Sequence, residues 1–403
     1  MKGSLQGLRS WLTLELAAVL VACSFAFFAA GMLNPILPLF FREGGADAGT
    51  IGLIFLAMTF AIAVSEFFWG WMVDRIDLRI AMLMGTLILG LATVTFQLSP
   101  SLSVFFLASA LFGFFRSPLF VVGRWYMGVN APPSMKAVAM ASLSTIFSLV
   151  QSVAGFVSGF VTDAYGYRGV IWVAAAMPFL AGVILVIASP WLDFRKRSFP
   201  EGASLAGASV TRGNSSSSLS IAVWLGMLAT MYFISFGVFF TYLPLFTTDV
   251  IDGTGRQVGV LFGLRGLVNA VAMIPLSRLA DRLGKTKFIP LGLMVIALAM
   301  AGIAFASTYP VVLICVVFYS LGVALYQPAA LGVLTERIPA GRQGTAIGIY
   351  GLFEDVGWMI GPAVGGLLWD RAGVRAPFVM AAGAVAIGAA MAIFLSRKVL
   401  TKK

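Results

Sequence analysis

The sequence predicts an all-α integral membrane protein, with twelve transmembrane helices in two six-helix bundles related as parallel repeats. Three observations carry this. Of 403 residues, 60% are hydrophobic and 11% are charged, against about 25% charged in soluble domains. Apolar runs of about 20 residues, enough to cross a bilayer, follow one another with short breaks. The chain also resembles itself at an offset of about 206 positions. Leu37-Pro38-Leu39-Phe40 returns as Leu243-Pro244-Leu245-Phe246, Gly31 as Gly237, Gly52 as Gly259 and Asp74-Arg75 as Asp281-Arg282. Gly155, Gly159, Asp163, Gly166 and Arg168 return as Gly361, Gly365, Asp370, Gly373 and Arg375. That period is far too long for a solenoid and fits a doubled transporter unit.

Span 1 (13–41) carries Asn34, Pro35 and Pro38 toward its far end, where a kink is expected. It is too long for a signal peptide, and no small-residue cleavage site precedes span 2. Spans 2 to 6 are expected at 50–73, 79–99, 101–128, 136–161 and 169–190, completing an N-terminal bundle over 1–190. Residues 191–218 combine a basic cluster, Pro200, Gly202 and a serine run, and read as a linker. Spans 7 to 12 are expected at 219–247, 255–277, 287–308, 310–334, 343–368 and 375–396, a C-terminal bundle over 219–403.

A net charge of +11 could suggest a nucleic-acid partner, but the charges are sorted by side. With the N-terminus inside, nineteen Lys and Arg fall on one face, among them Arg75, Arg79, Arg195 and Arg282. Only Arg42, Arg168, Arg256, Arg371 and Arg375 fall on the other. This bias places both termini in the cytoplasm, in what reads as a prokaryotic inner membrane. Cys23 and Cys315 stand alone in separate spans and give neither a disulfide framework nor a metal motif. Histidine is absent, so any proton carrier must be a carboxylate.

These features, and the motifs between the spans, make the chain resemble the major facilitator superfamily over almost its whole length. The family's Gly-x-x-x-Asp-Arg-x-Gly-Arg-Arg motif appears at the junction of spans 2 and 3 as Gly70, Asp74, Arg75 and Arg79, with Asp77 and Leu78 replacing the second glycine and an arginine. The second copy keeps Asp281, Arg282 and Gly284. The resemblance implies that these residues form a cytoplasmic gate between the halves. The Gly-Pro-x-x-Gly-Gly motif is intact in span 11 at Gly361, Pro362, Gly365 and Gly366, while span 5 keeps only Gly155 and Gly159, with Phe156 in place of proline. Small residues at this spacing let helices approach closely. In the family the full span 5 motif marks antiporters, so its loss weighs against that assignment.

An ionisable residue at the bilayer centre costs roughly 2.5–3.5 kcal/mol on insertion scales, so it normally has a partner or a function. Glu66, Arg116, Arg265, Glu354 and Asp355 lie well inside spans, and Arg124 is shallower. Glu354 and Asp355 diverge by about 100° around the helix, so one is expected on the transport path and the other against a neighbouring helix. Either could be the coupling carboxylate. The family's drug exporters have a span 4 arginine that falls here on Ser109. Arg116, two turns deeper, either replaces it, binds a substrate anion or forms a buried ion pair. Arg265 is expected to hydrogen-bond Gln151, and Glu66 to pair with Arg124. Asn34, Tyr232, Tyr242, Tyr326 and Gln327 are further polar or amphipathic residues on the expected cavity spans.

Leu279–Thr286 ends like a phosphate-binding loop but begins with leucine and leaves a membrane helix rather than a strand. No nucleophile–base constellation is present, so neither an enzyme nor ATP-driven transport is expected, and no cofactor is implied. The expected partners are a small-molecule substrate, protons and the lipid bilayer, for a monomer that binds no nucleic acid. The expected function is secondary transport by alternating access, as a proton-coupled exporter of small, largely apolar compounds of the drug/proton-antiporter kind. The alternatives are a symporter or exchanger of a small anionic metabolite, and a non-transporting receptor on the same fold.

Overall fold

A computed structural model describes residues 14–72, 75–98, 100–130, 136–188, 215–339 and 343–398. Span 1 is Leu14–Glu43, span 2 Ala48–Met72, span 3 Leu78–Thr95 and span 4 Leu102–Asn130. Spans 5 and 6 form one run, Lys136–Ala188, broken at Gly166 (φ 67°, ψ −177°), a conformation that a side chain would strain. Spans 7 to 12 are Ser215–Asp249, Gly255–Leu283, Lys285–Phe305, Tyr309–Arg337, Gln343–Ala372 and Ala376–Lys398. Most of the expected linker lies outside the described residues, and 215–218 already belong to span 7.

By length and apolarity alone, eight of the described helices could cross a membrane, and the bent pair Ala18–Leu33 and Leu37–Glu43 adds a ninth. The difference from twelve has physical causes. Ile146–Ala188 counts once but at 43 residues accommodates two crossings of about 20. Arg79–Thr95 is apolar but short, and span 11 is diluted by glycines and by Glu354, Asp355, Asp370 and Arg371. The 45° bend in span 1 falls beside Asn34 and Pro35, as proline's missing N–H predicts. Large apolar side chains such as Phe67, Val271, Leu298 and Ile387 point outward, which suits lipid and would be unusual over such an extent in water.

Local signals set the helix starts. Asp77, which replaces the motif glycine, caps span 3 by accepting from the Arg79 N–H at 2.9 Å. Thr254 and Gln257 form a reciprocal capping box on span 8. Asp47 accepts from the Thr50 N–H at 2.7 Å, and the Thr50 hydroxyl and N–H hold its carboxyl below the usual carboxylate range.

The internal repeat becomes a pair of equivalent contacts. Gly31 of span 1 lies against Gln151 and Ala154 of span 5, and Gly237 of span 7 lies against Trp358 and Pro362 of span 11. The halves then meet along two seams, span 5 on span 8 and span 2 on span 11. On the first seam, a methyl on Gly259 would lie 2.5 Å from the Gly159 Cα. On the second, one on Gly52 would run into the Pro362 carbonyl. Tyr242 secures the second seam: its hydroxyl donates to Pro362 O at 2.5 Å and lies 3.3 Å from Ala48 O. Ser152 secures the first by donating to Gly263 O at 2.5 Å.

The ends of the seams match as well. Asp370, ending span 11, accepts from the Gly49 N–H at the start of span 2 at 2.7 Å. Its repeat mate Asp163 accepts from the Arg256 N–H at the start of span 8 at 3.2 Å. Each carboxylate thus caps a helix of the opposite half, where the helix dipole favours negative charge. Arg42 and Asp249 add an exposed ion pair at 3.4 Å, of small energetic weight. These ties gather at the end of the molecule opposite the start of span 1 at Leu14 and the end of span 12 at Lys398, and seal it.

Two outcomes check these seams. Replacing Gly259 with leucine should cost about 1–3 kcal/mol through overpacking, read as a fall in melting temperature, while leucine at Gly383, where a side chain would meet open space, should leave it nearly unchanged. In a variant lacking Cys23 and Cys315, cysteines at Thr162 and Gly255, which abut across the first seam, should cross-link under mild oxidation. No cross-link would contradict the packing described.

Candidate functional site

Above the sealed end the halves separate around a cavity of about 300 Å³. Spans 1, 4 and 5 supply one wall and spans 7, 8, 10 and 11 the other. The bend in span 1 brings Asn34 to the cavity, and Pro118 loosens span 4 beside Arg116. Gly31 and Gly266 allow spans 1 and 8 to close on span 5, which sets the position of Gln151 and Arg265.

The lining is largely aromatic. Phe236 and Phe240 of span 7 stand 4.4 Å apart at their centroids, and Trp358 of span 11 meets Phe236 edge-on at 5.6 Å. Phe27 and Phe147 stack at 3.8 Å on the opposite wall. Among these rings are two guanidinium groups, one from each half. Arg116 lies 5.9 Å from the Trp358 ring centre. Arg265 lies 4.7 Å from Phe240, 5.2 Å from Phe236 and 5.8 Å from Phe239. Carboxamides from Asn34, Gln151, Asn269 and Gln327 join the hydroxyls of Ser148, Ser152 and Tyr232 in the polar lining, which among the described residues includes no carboxylate.

Four of the expected coupling or substrate residues, Asn34, Arg116, Gln151 and Arg265, therefore meet in one cavity. The expected bond from Arg265 to Gln151 is not formed. The Arg265 Nε is buried without a hydrogen-bond partner among the described residues, because its guanidinium is turned onto the span 7 rings. Glu354 and Asp355 stand outside the lining. Glu354 acts electrostatically on Tyr232, Tyr326 and Tyr350, on the inner side of its own half. Asp355, also outside the lining, lies within electrostatic reach of Glu66 of span 2, on the other side of the second seam. Glu66 also acts on Arg116, so one acid of the first half lies within electrostatic reach of both a cavity arginine and the span 11 carboxylate. The side chain of Arg124, its expected partner, is outside the described residues.

Asp74 of the expected gate is also outside the described residues. Arg75 sits 3.7 Å over the Trp71 ring, a methyl on Gly70 would meet open space, and the Arg79 N–H serves the Asp77 cap. Asp281 pairs at 3.0 Å with Lys285, which also binds Glu336, while Arg282 is exposed. These contacts of Arg75 and Asp281 lie within their own halves, while the expected packing glycines Gly155, Gly159, Gly361 and Gly365, with Pro362, lie at the close helix crossings. The Phe236, Phe240, Phe262 and Trp358 cluster was hidden among 34 phenylalanines and nine tryptophans. Asn269, one helical turn beyond Arg265, was a legible polar signal that the sequence reading missed.

A family profile described as Major Facilitator Superfamily matches residues 19–254 and, in a second match, 225–403. The chain belongs to the major facilitator superfamily. Its relatives include Multidrug resistance protein 2 of Bacillus subtilis, 24% identical over 392 residues and 93% of each chain. Quinolone resistance protein NorA of Staphylococcus aureus is 20% identical over 360 residues, 89% of this chain and 90% of NorA. Among solved structures, a bacterial homolog of the human lysosomal transporter Spinster, inward-facing and occupied, superposes with a TM-score of 0.78 at 14% identity, covering 96% of this chain and 97% of that one. That likeness establishes the fold. The protein is a multi-pass membrane transporter of small molecules and not an enzyme.

The cavity assigns a distinct role to Trp358, which spans the gap toward Arg116. Trp358→Ala should weaken binding of aromatic compounds by up to about tenfold, since an aromatic pair contributes about 0.5–1.5 kcal/mol. Equilibrium titration of the purified protein would show this, and unchanged affinity would remove the ring from the binding surface.

Proposed function

We propose that this superfamily member is a proton-coupled exporter of small, largely apolar compounds that works by alternating access. The observation that carries the proposal is an aromatic cavity between two pseudo-equivalent halves, sealed at one end by ties that can break and re-form. The multidrug and quinolone resistance names of the relatives support export. With the basic loops in the cytoplasm, the sealed end faces outward and the cavity loads from inside. Rocking of the halves about the two glycine seams would reverse that access.

The proton site in this reading is Asp355. It makes no hydrogen bond or ion pair among the described residues and faces Glu66 across the seam between the halves. Two carboxylates on facing helices repel unless one carries a proton, so protonation changes the stability of the seam that must move. Arg116, acted on by Glu66, relays the change to the cavity. The second reading, a symporter or exchanger of a small anionic metabolite, is favoured by the paired cavity arginines.

In proteoliposomes with an imposed pH gradient, Asp355→Asn should abolish uphill accumulation while leaving substrate exchange intact, and Glu66→Gln should alter its pH dependence. Glu354→Gln is the parallel control. Accumulation by Asp355→Asn equal to wild type would move the proton site elsewhere. Transport that needs ATP would overturn the mechanism.

A further inference from the structure

We infer that the transported compound carries an anionic group, a carboxylate, sulfonate or phosphate on an apolar or aromatic body, and that this group is seated on Arg265. The inference rests on the reading of the cavity as the transport site. Two guanidinium groups line a space with no carboxylate among its described lining residues. Neither makes a hydrogen bond or ion pair among the described residues, and both lie over rings. Cation–π attraction offsets part of the desolvation of such a charge but provides no acceptor for its N–H groups.

The two arginines differ in a way that singles out Arg265. Arg116 has Glu66 acting on it, so its charge is partly answered within the protein. Around Arg265 the polar neighbours on which it acts are the phenols of Tyr232 and Tyr319. Its Nε is buried and unpaired. A planar fork with unsatisfied donors, held by ring contacts from Phe236 and Phe240, suits an oxyanion with two acceptor oxygens. Asn269, one turn further along span 8, and Gln151 opposite offer neutral donors to the same group. The rings that hold Arg265 in place also present flat apolar surface to the rest of the ligand. A volume near 300 Å³ lies at the small end of ligand pockets, so a compound of one or two rings fits.

The test uses three probes of one shape: 2-naphthoate, 2-naphthamide and 2-naphthylmethylammonium. Binding to the purified full-length protein is measured by calorimetry at neutral pH and low salt. Naphthoate should bind at least about tenfold more tightly than the amide, as expected for a charge-assisted pair, and the ammonium more weakly still. Arg265→Gln should erase the anion preference while amide binding persists, which also shows that the variant is folded. Arg265→Lys should keep part of the preference, and Arg116→Gln should reduce it less than Arg265→Gln. Equal binding of the three probes, no naphthoate binding, or an anion preference that survives Arg265→Gln would overturn the assignment. Pumping of a cationic dye without anion binding would overturn the anion site and leave the exporter reading intact. Arg265-dependent anion binding without transport under any gradient would do the reverse.

Discussion

Everything else in this molecule depends on the two places where a helix of one half crosses a helix of the other with almost no side chain between them. At Gly159 with Gly259, and at Gly52 with Pro362, backbone meets backbone. In lipid there is little hydrophobic force to hold helices together, so contact must come from close packing and interhelical hydrogen bonds. Small residues supply the first, and Ser152 and Tyr242 supply the second. Such crossings are strong in van der Waals terms yet lack the interlocked side chains that would prevent two bundles from rocking.

The same repeat places Asp163 and Asp370 at the ends of the seams, each answering helix-end N–H groups of the opposite half. A hydrogen bond to a charged group contributes about 1.5–3 kcal/mol, enough to bias a conformational equilibrium without freezing it. The sealed end is therefore held by a few directional contacts that can all release together. Alternating access requires that combination, because the two states must lie within a few kcal/mol of each other.

The cavity shows the opposite arrangement. Among the described lining residues no acid answers its charges, and Glu66 and Glu354 lie outside that lining, Glu66 within reach of Asp355 and Glu354 of the tyrosines. In the proposed mechanism, separating the cavity cations from the titratable acids would let substrate charge and proton charge be handled in different places, with Arg116 between them. A low-dielectric setting makes each of these interactions stronger than it would be in water.

The sequence alone determined the class, the doubling and the motif glycines, because hydropathy and small-residue spacing are local properties that survive any detail of packing. It also singled out Arg116, Arg265, Asn34 and Gln151, which the fold brings to one cavity, since polar residues are conspicuous in apolar spans. The rest depended on which way each side chain faces. Adjacent acids in span 11 look alike in sequence, and only the packing of spans 2 and 7 around that helix turns Asp355 to the seam and Glu354 to the tyrosines. Tyr242 read as one more amphipathic residue, and its hydroxyl became a tie between halves because Gly52 and Gly365 leave room for it. Arg265 was expected to bond Gln151, but the rings of span 7 decided its orientation. A contact between residues far apart in the chain depends on helix rotation and depth together, and a linear pattern does not encode either one.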